Sequence, residues 1–219
     1  HPPGTAHLEF HGNKILGTHL LPGLEAEATE LEDGIEAEIR LKEGTRIDKP
    51  VRVCFGLIPD KGVQRIRIRK KLKKNSSMAV VASCTFPNAV EVLHTMDGEI
   101  ILKEGAEYAY LERHAHSPSG GVTVIPKTRV SLGIGASFRT DFELIEGRAG
   151  KVDIDYSAEC AARSLLEMTA RISVKEDDRI TILEKAVLSG ERARGVLTSN
   201  IAVRDTAEAD IKNTIIATA

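Results

Sequence analysis

A chain of 219 residues with a formal net charge of −2 and 28% charged side chains suffices for one elongated domain or two small ones, and it has no global field to draw it onto nucleic acid or an anionic membrane. Three cysteines are too few, and odd in number, for a disulfide framework, so a reducing cytoplasm is the expected compartment. Aromatics make up only 4% and tryptophan is absent, which argues against a sugar-binding cleft, and no apolar stretch approaches the roughly 20 residues of a membrane helix.

The start, His1-Pro2-Pro3-Gly4, lacks the basic and apolar regions of a signal peptide, and the missing initiator Met suggests a trimmed chain. Leu24–Glu32 consists of good helix formers ended by Gly34 and reads equally as a short helix or a strand. Residues 1–34 are therefore taken as a lead-in segment and 35–219 as the core. Ile35, Ala37, Ile39 and Leu41 alternate cleanly; Val51, Val53 and Phe55, then Ile66, Ile68 and Leu72, form the next strands. Met78–Thr85 is a nearly continuous apolar run, as expected of a strand buried on both faces. Glu99–Leu102 and Ala106–His116 continue the pattern. Ser117-Pro118-Ser119-Gly120-Gly121 is the strongest loop signal, a long turn or mobile loop dividing a less regular front from a regular back. Strands resume with Val122–Ile125, and Pro126 is expected at a corner or edge.

From there Ala136–Ile145, Val152–Cys160, Leu165–Val174, Ile180–Leu188, Val196–Val203 and Ala209–Ala219 follow with starts roughly 13–16 residues apart and no helix signal between them. Val152, Ile154, Tyr156, Ala158 and Cys160 share one face, while Lys151, Asp153, Asp155, Ser157 and Glu159 share the other. Evenly spaced one-sided strands predict an all-β stacked solenoid. A solenoid has no obvious single pocket, so its function is expected on an edge or an end. The chain stops inside an apolar strand, Ile215–Ala219, and is expected to continue or to be covered by another subunit.

Cys160 lies on the dry parity of its strand and reads as a small buried hydrophobe, with a sulfur ligand as the functional alternative. Cys84 precedes a turn and is expected near a surface; one thiol does not make a metal site, and no CxxC pair exists. Cys54 falls on the opposite parity to its neighbours and receives no role. His114 and His116 stand two apart on a strand, so both imidazoles share a face with Tyr108 and Tyr110; they could bind a metal, and the plainer expectation is two surface histidines before a loop. The basic run Arg65, Arg67, Arg69, Lys70, Lys71, Lys73 and Lys74 fits the solvated face of a strand better than a phosphate site. Asp141, Glu143, Asp153, Asp155 and Glu159 could align as carboxylates, although Arg139, Lys151 and Arg171 among them make a mixed charged exterior simpler. There is no GxSxG, HExxH or P-loop, and Gly133-Ile134-Gly135 lacks the third glycine of a dinucleotide site.

Gly98–Glu107, the preceding Asn75–Cys84 and the run from Ala136 to Ala219 resemble the SufB/SufD family, most closely a short archaeal-type member with a reduced N-terminal domain. The resemblance covers the chain from about Ile35 onward. It implies a right-handed parallel β-helix, subunits paired as a homodimer or a SufB/SufD-type heterodimer, and a SufC-like ABC ATPase as partner. It further implies a soluble scaffold on which a transient iron–sulfur cluster is built. ATP hydrolysis would belong to the partner, so the chain itself is expected not to be an enzyme, with no nucleic acid or membrane as partner. The family's cluster-forming cysteine and its paired histidine and glutamate are expected beyond Ala219, since no Cys or His follows Cys160. Cys160 is then the candidate counterpart of an upstream cysteine used in sulfur transfer, with Cys84 the second thiol candidate. Two readings from other classes stand beside this one: a β-helix polysaccharide lyase or hydrolase using the acidic row, and a structural solenoid that polymerises end to end.

Overall fold

A computed structural model describes residues 4–218 and contains sixteen strands and no helix among them. His1–Pro3, and Ala219 at the end of the expected last strand, lie outside the described residues. The strands are β1 (His7–His11), β2 (Lys14–His19), β3 (Leu24–Glu30), β4 (Ile35–Leu41), β5 (Val51–Gly56), β6 (Lys61–Leu72), β7 (Ser77–Phe86) and β8 (Glu91–Leu102). The remainder are β9 (Glu107–His116), β10 (Val122–Leu132), β11 (Ser137–Glu146), β12 (Lys151–Cys160), β13 (Leu165–Val174), β14 (Arg179–Leu188), β15 (Arg194–Val203) and β16 (Glu208–Ala217). None of the described residues forms a helix long and apolar enough to cross a membrane.

The strands lie in two sheets, one ordered β15-β13-β11-β9-β7-β5-β1-β2 and the other β16-β14-β12-β10-β8-β6-β4-β3. From β4 onward successive strands thus alternate between sheets, and each pairs in parallel with the strand two places on. Ile35 pairs with Ile66 and Phe138 with Leu166, which gives a coil of about 30 residues within the range of repeat proteins. The result is the expected β-solenoid, flattened into two facing sheets. Its N-terminal end is closed differently: β2 returns antiparallel to β1, and β3 antiparallel to β4. Within Leu24–Glu32, Leu24–Glu30 is accordingly strand rather than helix, because pairing along β4 satisfies its backbone.

One dry row from each strand fills the space between the sheets. In β12 the row is Val152, Ile154, Tyr156, Ala158 and Cys160, as the alternation predicts. Met78–Thr85 departs from expectation: Met78, Val80, Ala82 and Cys84 are buried, whereas Ala79, Val81 and Ser83 are half-buried on the outer face. Pro126 lies neither at a corner nor on an edge. It sits inside β10, opposite Met96 of β8, where the β12 pairing skips Ile125 and Pro126 because proline has no N–H to give.

The corners stack as regularly as the strands. Gly44, Asn75, Gly105, Gly135 and Arg163 all have positive φ, and their N–H groups donate to Lys74, Glu104, Ile134, Ala162 and Glu191 of the next coil at 2.9–3.0 Å. At the opposite corner Ser117–Gly121 is tied down rather than mobile. Ser117 Oγ donates to the Ala89 carbonyl at 2.6 Å, and Arg148 N donates to the Ser117 carbonyl at 3.1 Å. The loop divides nothing, since β5–β8 stack in the same sheets as β9–β16.

Gly147 illustrates how tight this corner is. Its φ is +83°, and a Cβ there would run into the His116 carbonyl. Gly147→Ala is expected to cost about 1–3 kcal/mol, through backbone strain added to the steric contact. A urea midpoint equal to that of the parent would show that the corner has slack.

Candidate functional site

The interior row of β9 is polar at its C-terminal end. Tyr108, Tyr110, Glu112, His114 and His116 all point between the sheets, and Glu112 is 1% and His114 3% exposed. This overturns the expectation of two surface histidines. The parallel register supplies the rest: Cys84 of β7 lies directly beside His114, and Ala82 beside Glu112. Adjacent strands are about 4.8 Å apart, so thiol and imidazole meet across two coils, and the small Ala82 leaves room for the Glu112 side chain. Cys84 is therefore fully buried, not near a surface, because the strand runs two residues past it to Phe86 before turning.

The polar groups form one chain of contacts. His116 Nδ1 lies 3.0 Å from the Arg148 carbonyl, which can only accept, so this nitrogen carries a hydrogen. With His116 neutral, its Nε2 accepts from His114 Nδ1 at 3.2 Å. His114 Nε2 then faces Glu112 Oε1 at 2.9 Å, and the two share one proton. The Cys84 thiol donates to the same Glu112 oxygen at 3.7 Å. Lys70 of β6 stands across the core with Nζ 3.8 Å from the centre of the Tyr110 ring. Lys70 had been grouped with the solvated basic run; it is instead buried, on the parity of Ile66, Ile68 and Leu72.

Burial dominates the electrostatics. It lowers Lys70 to about 8, against which the Glu112 charge works. It lowers His94 and His116 to about 3, aided by the charge of His114. Burial, then Glu112, pushes the Cys84 thiol well above its ordinary value. For Glu112 burial acts upward, but the hydrogen bond and charge of His114, followed by the charges of His94 and Lys70, leave its carboxyl below the usual range. The arrangement thus holds a protonated thiol against a carboxylate whose charge disfavours the thiolate while the site is empty.

The other candidates do not join this group. Cys160 lies in β12, in the other sheet; burial raises its thiol to about 11, partly offset by a hydrogen bond with Ser164. Cys54 is half-buried on the outer parity of β5. Three members of the acidic row are matched by bases: Arg171 pairs with Asp141, Arg113 with Glu143 at 3.4 Å, and Lys151 with Asp153 at 3.1 Å. Such pairing fits the mixed charged exterior better than the carboxylate dyad of glycan cleavage. Three exposed members of the basic run are likewise partnered, Arg67 by Asp33, Arg69 by Glu99 and Lys74 by Glu104.

Sequence reasoning missed Glu112 and His94. His94 lies on β8 with Val92 and Met96, and that alternation marks it as interior. Its ring packs against Phe86 at 5.2 Å and His114 at 6.1 Å between centroids. Cys84, Glu112 and His114 each offer a ligand atom within 4.8 Å of the others, so they form the donor set that could hold a metal ion. One thiol among them does not make the multi-cysteine cradle of an iron–sulfur cluster.

No family model matches the chain. It is 29% identical over 202 residues to an iron-sulfur cluster assembly SufBD family protein of Pyrococcus horikoshii, covering 92% of this chain and 61% of that protein. A protein of the same description from Methanocaldococcus jannaschii is 28% identical over 190 residues, covering 87% of this chain and 60% of the relative. The chain thus spans less than two thirds of the length of these curated relatives. The shared stretch runs through nearly all of the stacked coils, and with them the β7–β9 donor set, so the chain is similar along most of its length to two proteins described as SufBD family members.

Proposed function

We propose that this chain is the β-solenoid core of an iron–sulfur cluster assembly component. It acts as a scaffold rather than an enzyme: a SufC-like ABC ATPase hydrolyses ATP, and a second SufB/SufD-type subunit completes the assembly. The observation that carries this reading is the likeness to two proteins named for cluster assembly along most of the chain. The buried thiol–carboxylate–imidazole group supports it. A thiol holds iron only as thiolate; the empty site keeps Cys84 protonated with its S–H on Glu112 Oε1, and an arriving cation is what displaces that proton. The cluster is cargo: its full ligand set comes from the rest of the protein or the second subunit, with Cys84 and Cys160 as the thiols this core contributes.

The test is reconstitution of the full-length protein with the ATPase partner, iron and sulfide under anaerobic conditions. Sulfur-to-iron charge-transfer absorption is expected in the visible, reduced several-fold by Cys84→Ser. A complex that stays colourless with partner and ATP present would overturn the proposal.

A further inference from the structure

Two buried side chains beside His114 carry polar atoms without partners. Glu112 Oε2 is shielded from solvent and meets no donor, and both ring nitrogens of His94 are in the same position. His94 is 1% exposed and its ring faces that of His114 edge-on. A polar atom buried without a partner forfeits its hydration with nothing in return, so three of them beside His114 need a reason.

We infer that Cys84, Glu112 and His114 form a binding site for a single divalent transition-metal ion of Zn2+ or Fe2+ type, with His94 the neighbouring imidazole whose nitrogens have no partner. The donor set decides the class of ion: thiolate with imidazole and carboxylate suits Zn2+ or Fe2+, whereas Ca2+ and Mg2+ require oxygen throughout. The orientation of the histidines agrees. His116 anchors its Nδ1–H on the Arg148 carbonyl and accepts from His114 Nδ1, which aims His114 Nε2 at Glu112. A ring held in place through its second nitrogen is the usual setting of a metal-bound histidine. His116 is therefore a positioning residue, and the expected His114–His116 ligand pair resolves into one ligand and its support.

Charge balances. Before binding, the thiol is neutral, and His114 and Glu112 together hold one proton, for a sum of zero. Entry of M2+ releases the thiol proton and the shared proton, leaving thiolate, carboxylate and neutral imidazole around the ion, again zero. The core can therefore take up the cation without gaining net charge. Cys54 and Cys160 lie outside the donor set, so the site suits one ion rather than a cluster. This inference goes beyond the assembly reading and needs neither sulfide nor the ATPase, so the two can fail separately.

The experiment is to produce the protein in cobalt-supplemented medium, so that the ion is present while the coils close, and to purify it without sulfide. The expected result is about one cobalt per chain with thiolate-to-cobalt charge-transfer absorption. Cys84→Ser is expected to abolish that absorption and Cys160→Ser to leave it intact. His116→Phe, which removes the support but no ligand, is expected to weaken retention against a chelator about 10–100-fold. X-ray absorption at the cobalt edge of the unaltered protein, which requires no variant to fold, is expected to show one sulfur neighbour. Cobalt bound through nitrogen and oxygen alone, or absorption that survives Cys84→Ser, would overturn the site.

Discussion

Asp178→Ala is expected to lower the stability of the solenoid by about 3–5 kcal/mol, as removal of one partner from a buried ion pair does. Asp178 is fully enclosed at the corner between β13 and β14. It accepts from Arg148 Nε at 3.1 Å and Nη2 at 2.9 Å, and also from the backbone N–H groups of Ala149, Gly150 and Lys175. Deleting the carboxylate strands three backbone donors and leaves the guanidinium only the outer acids Glu176 and Asp177. Asp177 is 88% exposed, so Asp177→Ala should cost far less than Asp178→Ala although it too contacts Arg148. Urea unfolding at pH 7 compares the two. Equal midpoint shifts would mean that enclosure does not set the worth of these contacts. The consequence reaches the site, because the Arg148 carbonyl is what fixes the His116 ring.

How much of this could be read in advance differs from strand to strand, for a physical reason. In β12 the wet row is Lys, Asp, Asp, Ser and Glu and the dry row is largely apolar, so side-chain chemistry alone declares which face is inside. In β9 the outward row holds Ala109, Leu111 and Ala115, while the inward row holds Glu112, His114 and His116. Local alternation there points the wrong way. What overrides it is stacking: Tyr108 lies on Phe138 at 5.6 Å between ring centres, and Cys84 pairs with His114, contacts set by coil register and not by neighbours in sequence. Lys70 was legible, since it keeps the parity of Ile66 and Leu72, but its position in a run of bases hid it. The resemblance to SufB/SufD proteins was carried by turn and strand wording. The Cys84–Glu112–His114 group was not, because it joins two strands that only the fold places side by side.

That polar interior also fixes how the metal-free protein responds to acid. His94 and His116 have folded values of about 3 against an ordinary 6.5, so between those limits the unfolded chain binds two protons that the folded chain refuses. Stability then rises with pH at about 1.4 kcal/mol per unit for each ring. It is fully present above about pH 6.5 and is lost as pH falls towards 3. Glu184 works the other way: burial raises its carboxyl to about 7 from 4.5, so in that interval the folded chain holds a proton the unfolded one does not. The net slope from these three groups is therefore one proton between about pH 4.5 and 6.5, and two below 4.5. There the depressed Glu112 carboxyl adds to the loss. His94→Leu removes one ring, so in chelator-treated protein the slope between about pH 4.5 and 6.5 should flatten to near zero. At pH 8 the same variant should be as stable as the parent or more so, since it deletes two buried nitrogens that make no hydrogen bond. A parent whose urea midpoint is constant from pH 4 to 6.5, or a variant that keeps the parent's slope, would show that water reaches the His94 ring. If the variant proves more stable, the imidazole costs the bare fold free energy, and only a ligand that binds there would recover it.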